Sequence, residues 1–326
     1  MATVQEAERV RVRARATAWS LTSWVLFASS GPLAKAVIAA GWSPAAVAFV
    51  RIAMAAALLI PVVVVFRPRA LRFRRSDLPL LVGYGLLGVA GVQLLFLIAV
   101  QRIPIGVSMV LVNLAPALVA LWVRYVRRTR LPTAVWLGIG LAATGLTLVA
   151  QIWDSTRLDA LGIAAGLGSA LCSAGYFLLG EHGARKHDPL ALTSAGLTIG
   201  AIAVAALATP WTLHAGQFTT PAVLGGLPLP AWLVLLTLAI AGTALPYLAG
   251  LRALRDLSST LASVLSVVEP LVAAALAWLL LGQSLAPIQI IGAAIMLVGA
   301  ILVQLTVPDD DSPTSTARSA CRAGES

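Results

Sequence analysis

The chain has 326 residues, 59% of them hydrophobic and only 11% charged, with a formal net charge of +10. A soluble globular chain carries about 25% charge, so this composition excludes a pair of ordinary soluble domains. It does not indicate nucleic-acid binding either, because the Arg residues fall between hydrophobic runs, where positive charge orients a chain in a bilayer.

Ten apolar runs follow one another, at about 17–40, 44–66, 78–100, 105–124, 132–151, 160–180, 190–209, 231–251, 257–281 and 287–307. Each approaches the roughly 20 residues that cross a hydrocarbon core. Period-two alternation is absent, which argues against a membrane barrel. The expected fold is therefore an all-α integral membrane protein with ten transmembrane helices.

Residues 1–15 are polar and basic, with Arg9, Arg11, Arg13 and Arg15, and are expected to form a cytoplasmic N-terminal segment. The run behind them is long and nine others follow, so it is read as the first span rather than as a secretory signal. Ser29-Ser30-Gly31-Pro32 interrupts it. A proline inside a helix removes one hydrogen bond and clashes with the carbonyl four residues back, here that of Ala28. Broken membrane helices are tolerated where they face protein or a water-filled cavity, and in transporters they mark substrate sites. Lys35, near the outer end of this span, is expected to snorkel.

The second span carries Arg51 and ends in an Arg-rich loop, Arg67 to Asp77. The third holds Tyr84 and Gln93 among glycines, and the fourth holds Asn113 ahead of Pro116. In the fifth, Gly138 and Gly145 are spaced to lie on one helix face for close approach. Gly162-xxx-Gly166 in the sixth favours helix contact and is weak evidence for a dimer, so monomer and homodimer both stand. Glu181 to Asp188 places two His and two carboxylates in a short stretch, but the spacing matches no metal motif and reads as a solvated face. Residues 210–230 form the longest loop, and the eighth span holds a second proline-broken stretch, Thr243 to Tyr247. The ninth carries Glu269-Pro270 near its middle. An acid at that depth costs roughly 2–3 kcal/mol on insertion scales and marks a functional site by default. Residues 308–326 are polar and are expected to form a disordered cytoplasmic tail. Trp19, Trp24, Trp42, Trp136, Trp153, Trp211 and Trp232 sit mostly near span ends, as an interfacial belt would. Cys172 reads as a small core residue, and no pairing with Cys321 is expected.

Subtracting 154 from the late positions brings Pro270 onto Pro116, Gly292 onto Gly138 and Gly299 onto Gly145 without a gap. Prolines and glycines holding register signify an internal repeat. With the N-terminus placed inside, nineteen of the 23 Lys and Arg residues fall in inside segments, and only Arg102 and Arg157 fall outside. This predicts a multi-pass protein of the cytoplasmic membrane with both termini cytoplasmic. Twin loops carry opposite charge bias, as an odd number of spans per unit requires. The two repeats, 16–151 and 160–307, are thus expected to be inverted copies of five helices each, with a site near the midplane.

This combination resembles ten-helix members of the drug/metabolite transporter superfamily of the EamA type. The resemblance is carried by the two repeats, by Glu269-Pro270 followed by Leu280-Leu281-Gly282, by Asn113-Leu114-Ala115-Pro116 in the twin, and by Arg51, and it covers about residues 16–307. It implies a basket of helices with spans one, three, four, six, eight and nine around a central cavity. It also implies export or exchange of small solutes, often amino acids or other metabolites. Thr243–Tyr247 and Pro287-Ile288-Gln289 are similar to segments of exporters of the threonine/homoserine type. Two departures stand out. The small four-helix multidrug members carry a Glu in their first helix, which this chain lacks, and many relatives have Gly-Glu where this chain has Gly282-Gln283.

The expected function is a secondary transporter exporting small metabolites by alternating access. The alternatives are an integral membrane enzyme and a non-transporting receptor or assembly protein. No catalytic cluster, nucleotide motif, metal site or cofactor is indicated by the residues. Substrate-pathway candidates are Glu269, Arg51, Asn113, Ser29, Ser30, Gln93, Tyr84, Tyr176 and Tyr247, with helix breaks at Pro32, Pro116, Pro246 and Pro270. Glu269 has three open readings: an amine ligand, a proton site, or a structural partner of Arg51. Arg51 suits bidentate recognition of a carboxylate or phosphate as well as pairing. The uncharged candidates act as helix–helix glue or line a polar cavity for a small zwitterion.

Overall fold

A computed structural model describes residues 2–103, 105–150, 159–281 and 286–306. The tail after Thr306, Trp153, Arg157 and Gly282-Gln283 lie outside the described residues. Seven helices are long and apolar enough to cross a membrane: Val10–Ala39, Pro44–Phe66, Arg75–Arg102, Val107–Tyr125, Ala160–Lys186, Pro189–Ala208 and Ala231–Leu254. Three shorter apolar helices, Thr133–Val149, Ser259–Ala273 and Pro287–Val303, complete ten spans. The basic leader is itself helical, since the first helix runs without interruption over Ala2–Ala28.

The spans pair as two inverted copies must. An inverted repeat exchanges span one with six, two with seven, three with eight, four with nine and five with ten. Span one packs on span eight, and its counterpart, span six, packs on span three. Span four packs on span six, and span nine on span one. Spans two and seven pack on each other, as do five and ten, each pair being its own counterpart.

The crossing of spans five and ten shows this at atomic scale. A Cβ on Gly138 would lie 2.7 Å from the Gly299 carbonyl oxygen, and one on Gly292 would lie 2.6 Å from that of Gly145. Gly299 is the twin of Gly145, and Gly292 that of Gly138, so each glycine faces the twin of the other. The backbones meet with no room for a side chain, and dispersion between them replaces a hydrophobic drive that lipid cannot supply. Gly145→Val is expected to destabilise the detergent-solubilised protein by about 1–3 kcal/mol through overpacking. Gly140→Val on the same helix meets nothing within 4 Å and is expected to leave the thermal unfolding curve unchanged.

The interruptions also obey the repeat. Span three carries a π-helical stretch over Tyr84–Gly91, and span eight one over Ile240–Ala244, which the 154-residue offset superposes. Span four breaks at Asn113-Leu114 and span nine at Ser266-Val267, within one residue of the same offset. Span one turns at Ser29. Pro32, Pro116 and Pro270 follow these turns by three or four residues, where the proline ring displaces the preceding turn. Pro246 differs from expectation. It opens no gap, because the wider π turn before it takes up the displaced backbone.

The connection after span seven adds a small β-hairpin to an otherwise helical fold, β1 (Pro221–Leu224) pairing antiparallel with β2 (Leu227–Pro230). Gly225 and Gly226, at φ +57° and +82°, supply the two left-handed positions such a tight turn needs. The segment leading into it holds Phe218 edge-on against Trp42, ring centroids 5.0 Å apart.

Candidate functional site

The broken and π-helical spans line a central cavity of about 80 Å3. Span one contributes Trp24, Phe27 and Ser30; span two, Arg51; span three, Gly88, Val92, Gln93 and Phe96. Span four contributes Met109, Val112 and Asn113; span six, Ser173 and Tyr176; span eight, Tyr247; span nine, Glu269. The spans the resemblance implied all take part, and span two joins them through Arg51.

Arg51 is only 3% exposed. Its Nε donates to Thr243 Oγ1 at 3.0 Å, and its Nη2 donates to the Gly242 carbonyl at 2.7 Å and to Ser30 Oγ at 3.3 Å. Ser30 Oγ in turn donates to Gly242 O at 3.0 Å. Gly242 stands four residues before Pro246, the position whose helical acceptor role a proline cancels. The buried guanidinium therefore caps a carbonyl that the helix itself cannot satisfy, as buried polar groups require.

Gly88, the twin of Gly242, shows the same solution with another donor. Val92 N–H reaches back to Leu87 in the π turn, and Tyr247 Oη donates to Gly88 O at 2.8 Å. Glycine suits both positions, because a Cβ on Gly88 would press on the Tyr84 ring at 3.2 Å and one on Gly242 would press on Ser30 Oγ at 2.8 Å.

Glu269 sits in the first turn of the half-helix Val268–Leu281, where the free N–H groups of a helix start favour a carboxylate. It is partly buried and opens on the cavity. Of its three open readings, direct pairing with Arg51 is not seen, since among the described residues no N–O contact within 4 Å joins the two side chains. Thr243, Ser30 and Gly242 take up the guanidinium instead. Asn113 closes the preceding half-helix of span four by donating Nδ2 to Met109 O at 3.0 Å.

Two candidates fall outside the lining. Ser29 Oγ donates to Leu26 O at 2.7 Å and closes the turn of span one. Tyr84 is fully buried behind the wall, its ring 5.9 Å from that of Tyr176. The aromatic wall was missed in the sequence. Trp24, expected in the interfacial belt, is 8% exposed and packs on Phe27 and Phe177 at 5.5 and 5.7 Å. Trp42 is buried as well, whereas Trp211 and Trp232 are exposed as a belt requires. Phe27, Phe96 and Met109 carried no signal, because apolar residues on an apolar helix look alike whichever way they face.

Gly162 packs on Ile103 and Gly166 on Leu111, a Cβ on either lying 2.7 Å from the neighbour, so the helix contact expected of this pair is made within the chain. One other expectation is corrected. The Glu181–Asp188 stretch is not a solvated loop. Glu181 is 3% exposed and accepts from Arg127 Nη1 at 3.0 Å and Arg185 Nη2 at 3.1 Å. Asp188 caps the seventh span through the Leu190 amide at 2.9 Å and pairs with Arg67 at 3.1 Å. These ties join the loops after spans two and four to spans six and seven, a repacking that spacing along the chain does not reveal.

A model of the EamA-like transporter family matches residues 15–151 and 160–305. The threonine/homoserine exporter RhtA of Escherichia coli K12 is 32% identical over 249 residues, 74% of this chain and 76% of its own. That of Salmonella typhimurium SL1344 is 30% identical over 285 residues, 86% and 88% of the two chains. An uncharacterised transporter, YwfM of Bacillus subtilis, is 28% identical over 214 residues, 65% and 68%. A solved crystal structure superposes with a TM-score of 0.70 at 19% identity, covering 92% of this chain and 99% of its own, which supports the fold alone.

Proposed function

Because the chain belongs to the EamA-like transporter family, we propose that it exports small zwitterionic metabolites of the amino-acid class across the cytoplasmic membrane by alternating access. The observation that carries this is the pair of opposite charges on one cavity. Arg51 and Glu269 both line it and do not neutralise each other at contact distance. An unpaired buried charge is costly. A solute that brings a carboxylate to Arg51 and an ammonium to Glu269 relieves that cost on binding.

The rest of the wall fits such a solute. Trp24, Phe27 and Phe96 supply apolar surface, and Gln93 and Asn113 supply neutral hydrogen-bonding groups. Threonine and homoserine, the solutes in the names of the RhtA relatives, are the first to test. The proposed orientation has both termini inside, since Arg67, Arg127 and Arg185, drawn together with Glu181 and Asp188 at one end of the bundle, then lie on the cytoplasmic side. Coupling to protons is proposed to run through Glu269, the one carboxylate on the cavity wall among the described residues.

The test is counterflow in liposomes. Vesicles preloaded with unlabelled threonine are expected to accumulate external radiolabelled threonine above equilibrium, in proportion to the protein incorporated. No counterflow with any of a panel of amino acids would remove the amino-acid reading and leave the fold untouched.

A further inference from the structure

The first half of span nine is the half-helix Ser259–Leu265, whose 7 residues are all buried. Spans one, four, six, eight and ten pack around it. An apolar stretch would suit that place, yet Ser259, Ser263 and Ser266 follow at spacings of four and three, which puts them on one helix face. They are 1%, 0% and 6% exposed. Ser263 Oγ donates to Thr260 O at 2.8 Å and Ser266 Oγ to Ser263 O at 2.6 Å. Ser259 Oγ has no hydrogen-bond partner among the described residues, and neither has Thr17 Oγ1 on span one. The Glu269 amide donates to Ser266 O at 3.0 Å, so that residue stands one turn beyond the last serine. The repeat does not demand these serines. In span four their counterparts are Ile105, Met109 and Val112, and Ala115 stands in the place of Glu269. One copy of the fold therefore carries a file of hydroxyls that ends at an acid, and the other carries apolar residues at the same positions.

Steps of three and four residues rise about 4.5 and 6 Å along a helix. Two O–H···O bonds through one water span about 5.5 Å. Each step thus suits a single bridging water, held by the two or more polar partners a buried water needs. We propose that Ser259, Ser263 and Ser266, bridged by water, form a proton path between Glu269 and the cytoplasm. The path rests on the coupling through Glu269 proposed above and names the route the proton takes. Glu269 passes its proton to a water, which hands one of its own to Ser266 Oγ. That hydroxyl releases the proton it held to the next water, and the exchange repeats at Ser263 and Ser259 until bulk water takes the proton. One proton crosses, and every hydroxyl ends as it began. Turning a hydroxyl from its own helix carbonyl to a water needs only rotation between staggered side-chain positions. The central cavity is lined by Glu269 and by none of the three serines, so the file lies beyond the solute site. The other titratable groups on the cavity wall are Arg51, Tyr176 and Tyr247. Charged residues on the helices packed around the file begin with Arg15 on span one, Arg124 on span four, Glu181 on span six and Arg252 on span eight, and Arg255 and Asp256 are exposed in the turn ahead of Ser259.

Two measurements on the same liposomes, with threonine as the probe, separate the outcomes. Counterflow at equal pH needs no net proton movement, and transport driven by a pH gradient does. The double variant Ser263→Ala/Ser266→Ala leaves about 13 Å between Thr260 and Glu269 without a hydroxyl, more than one water spans. Its gradient-driven threonine transport is expected to fall by about 100-fold, the lower end of what a positioned proton-transfer group contributes. Its counterflow is expected to stay within about twofold of native and its melting temperature in detergent to hold, because a hydroxyl bonded back to its own helix adds little to stability. Unchanged gradient-driven transport in the double variant overturns the path. An equal loss of counterflow, with or without a lowered melting temperature, assigns the serines to the solute or to packing and overturns it too. Counterflow without gradient-driven transport in the native protein overturns the coupling and the path, and leaves the amino-acid reading standing. Absence of counterflow for every amino acid removes that reading and the path with it.

Discussion

Glu269→Gln is expected to lower counterflow of a zwitterionic solute by about 100-fold while the protein stays folded. Removing one partner of a charge-assisted contact in a desolvated site costs about 2–5 kcal/mol, and the lower part of that range suits a carboxylate that is only partly buried. Folding is expected to survive, because among the described residues the Glu269 side chain makes no hydrogen bond or ion pair for the glutamine to lose, and the amide is nearly isosteric. Counterflow needs no driving force, so it isolates binding and turnover from coupling. If counterflow persists in Glu269→Gln and only uptake driven by a pH gradient disappears, Glu269 carries the proton and does not hold the solute amine. If both persist at native rates, neither role stands.

Arg51→Lys is expected to remove transport to the same extent and, unlike Glu269→Gln, to destabilise the protein by about 2–4 kcal/mol. The guanidinium donates three hydrogen bonds in a fixed fork, to Thr243, Ser30 and Gly242. An ammonium keeps the charge and cannot reproduce that geometry. The Gly242 carbonyl then keeps only Ser30 Oγ, and a buried ammonium lacks its full set of acceptors. Thermal unfolding in detergent measures the structural loss and counterflow the functional one. A lysine variant with native stability would show that the charge, not the fork, holds the π turn of span eight. Native transport with lowered stability would confine Arg51 to structure.

How far the site was legible depends on what each residue type encodes. Proline and glycine carry their geometry in their own covalent structure. Pro32, Pro116 and Pro270 therefore announced breaks, and Gly138 and Gly145 announced a close approach. The π stretches were invisible, because no residue type specifies a bond five residues back, and that of the third span, Tyr84–Gly91, forms at glycines with no proline inside it. Arg51 and Glu269 were conspicuous as charges in apolar runs. Their partners were not, because pairing is a property of two chain segments brought together. Trp24 and Trp42 misled for the same reason, since an aromatic residue near a span end reads as interfacial until a neighbouring helix covers it.

By itself, then, the sequence determined the ten spans, the order of the repeats and the register between them. All three follow from local terms: the length of apolar runs, the placement of Arg, and residues that constrain their own backbone. Tertiary structure alone decided that Gly138 meets Gly299 rather than its own twin, and that the carbonyls of Gly88 and Gly242 are held by Tyr247 and Arg51. An antiparallel crossing about a pseudo-twofold axis places each residue against the counterpart of its neighbour. That relation arises only when the two halves pack.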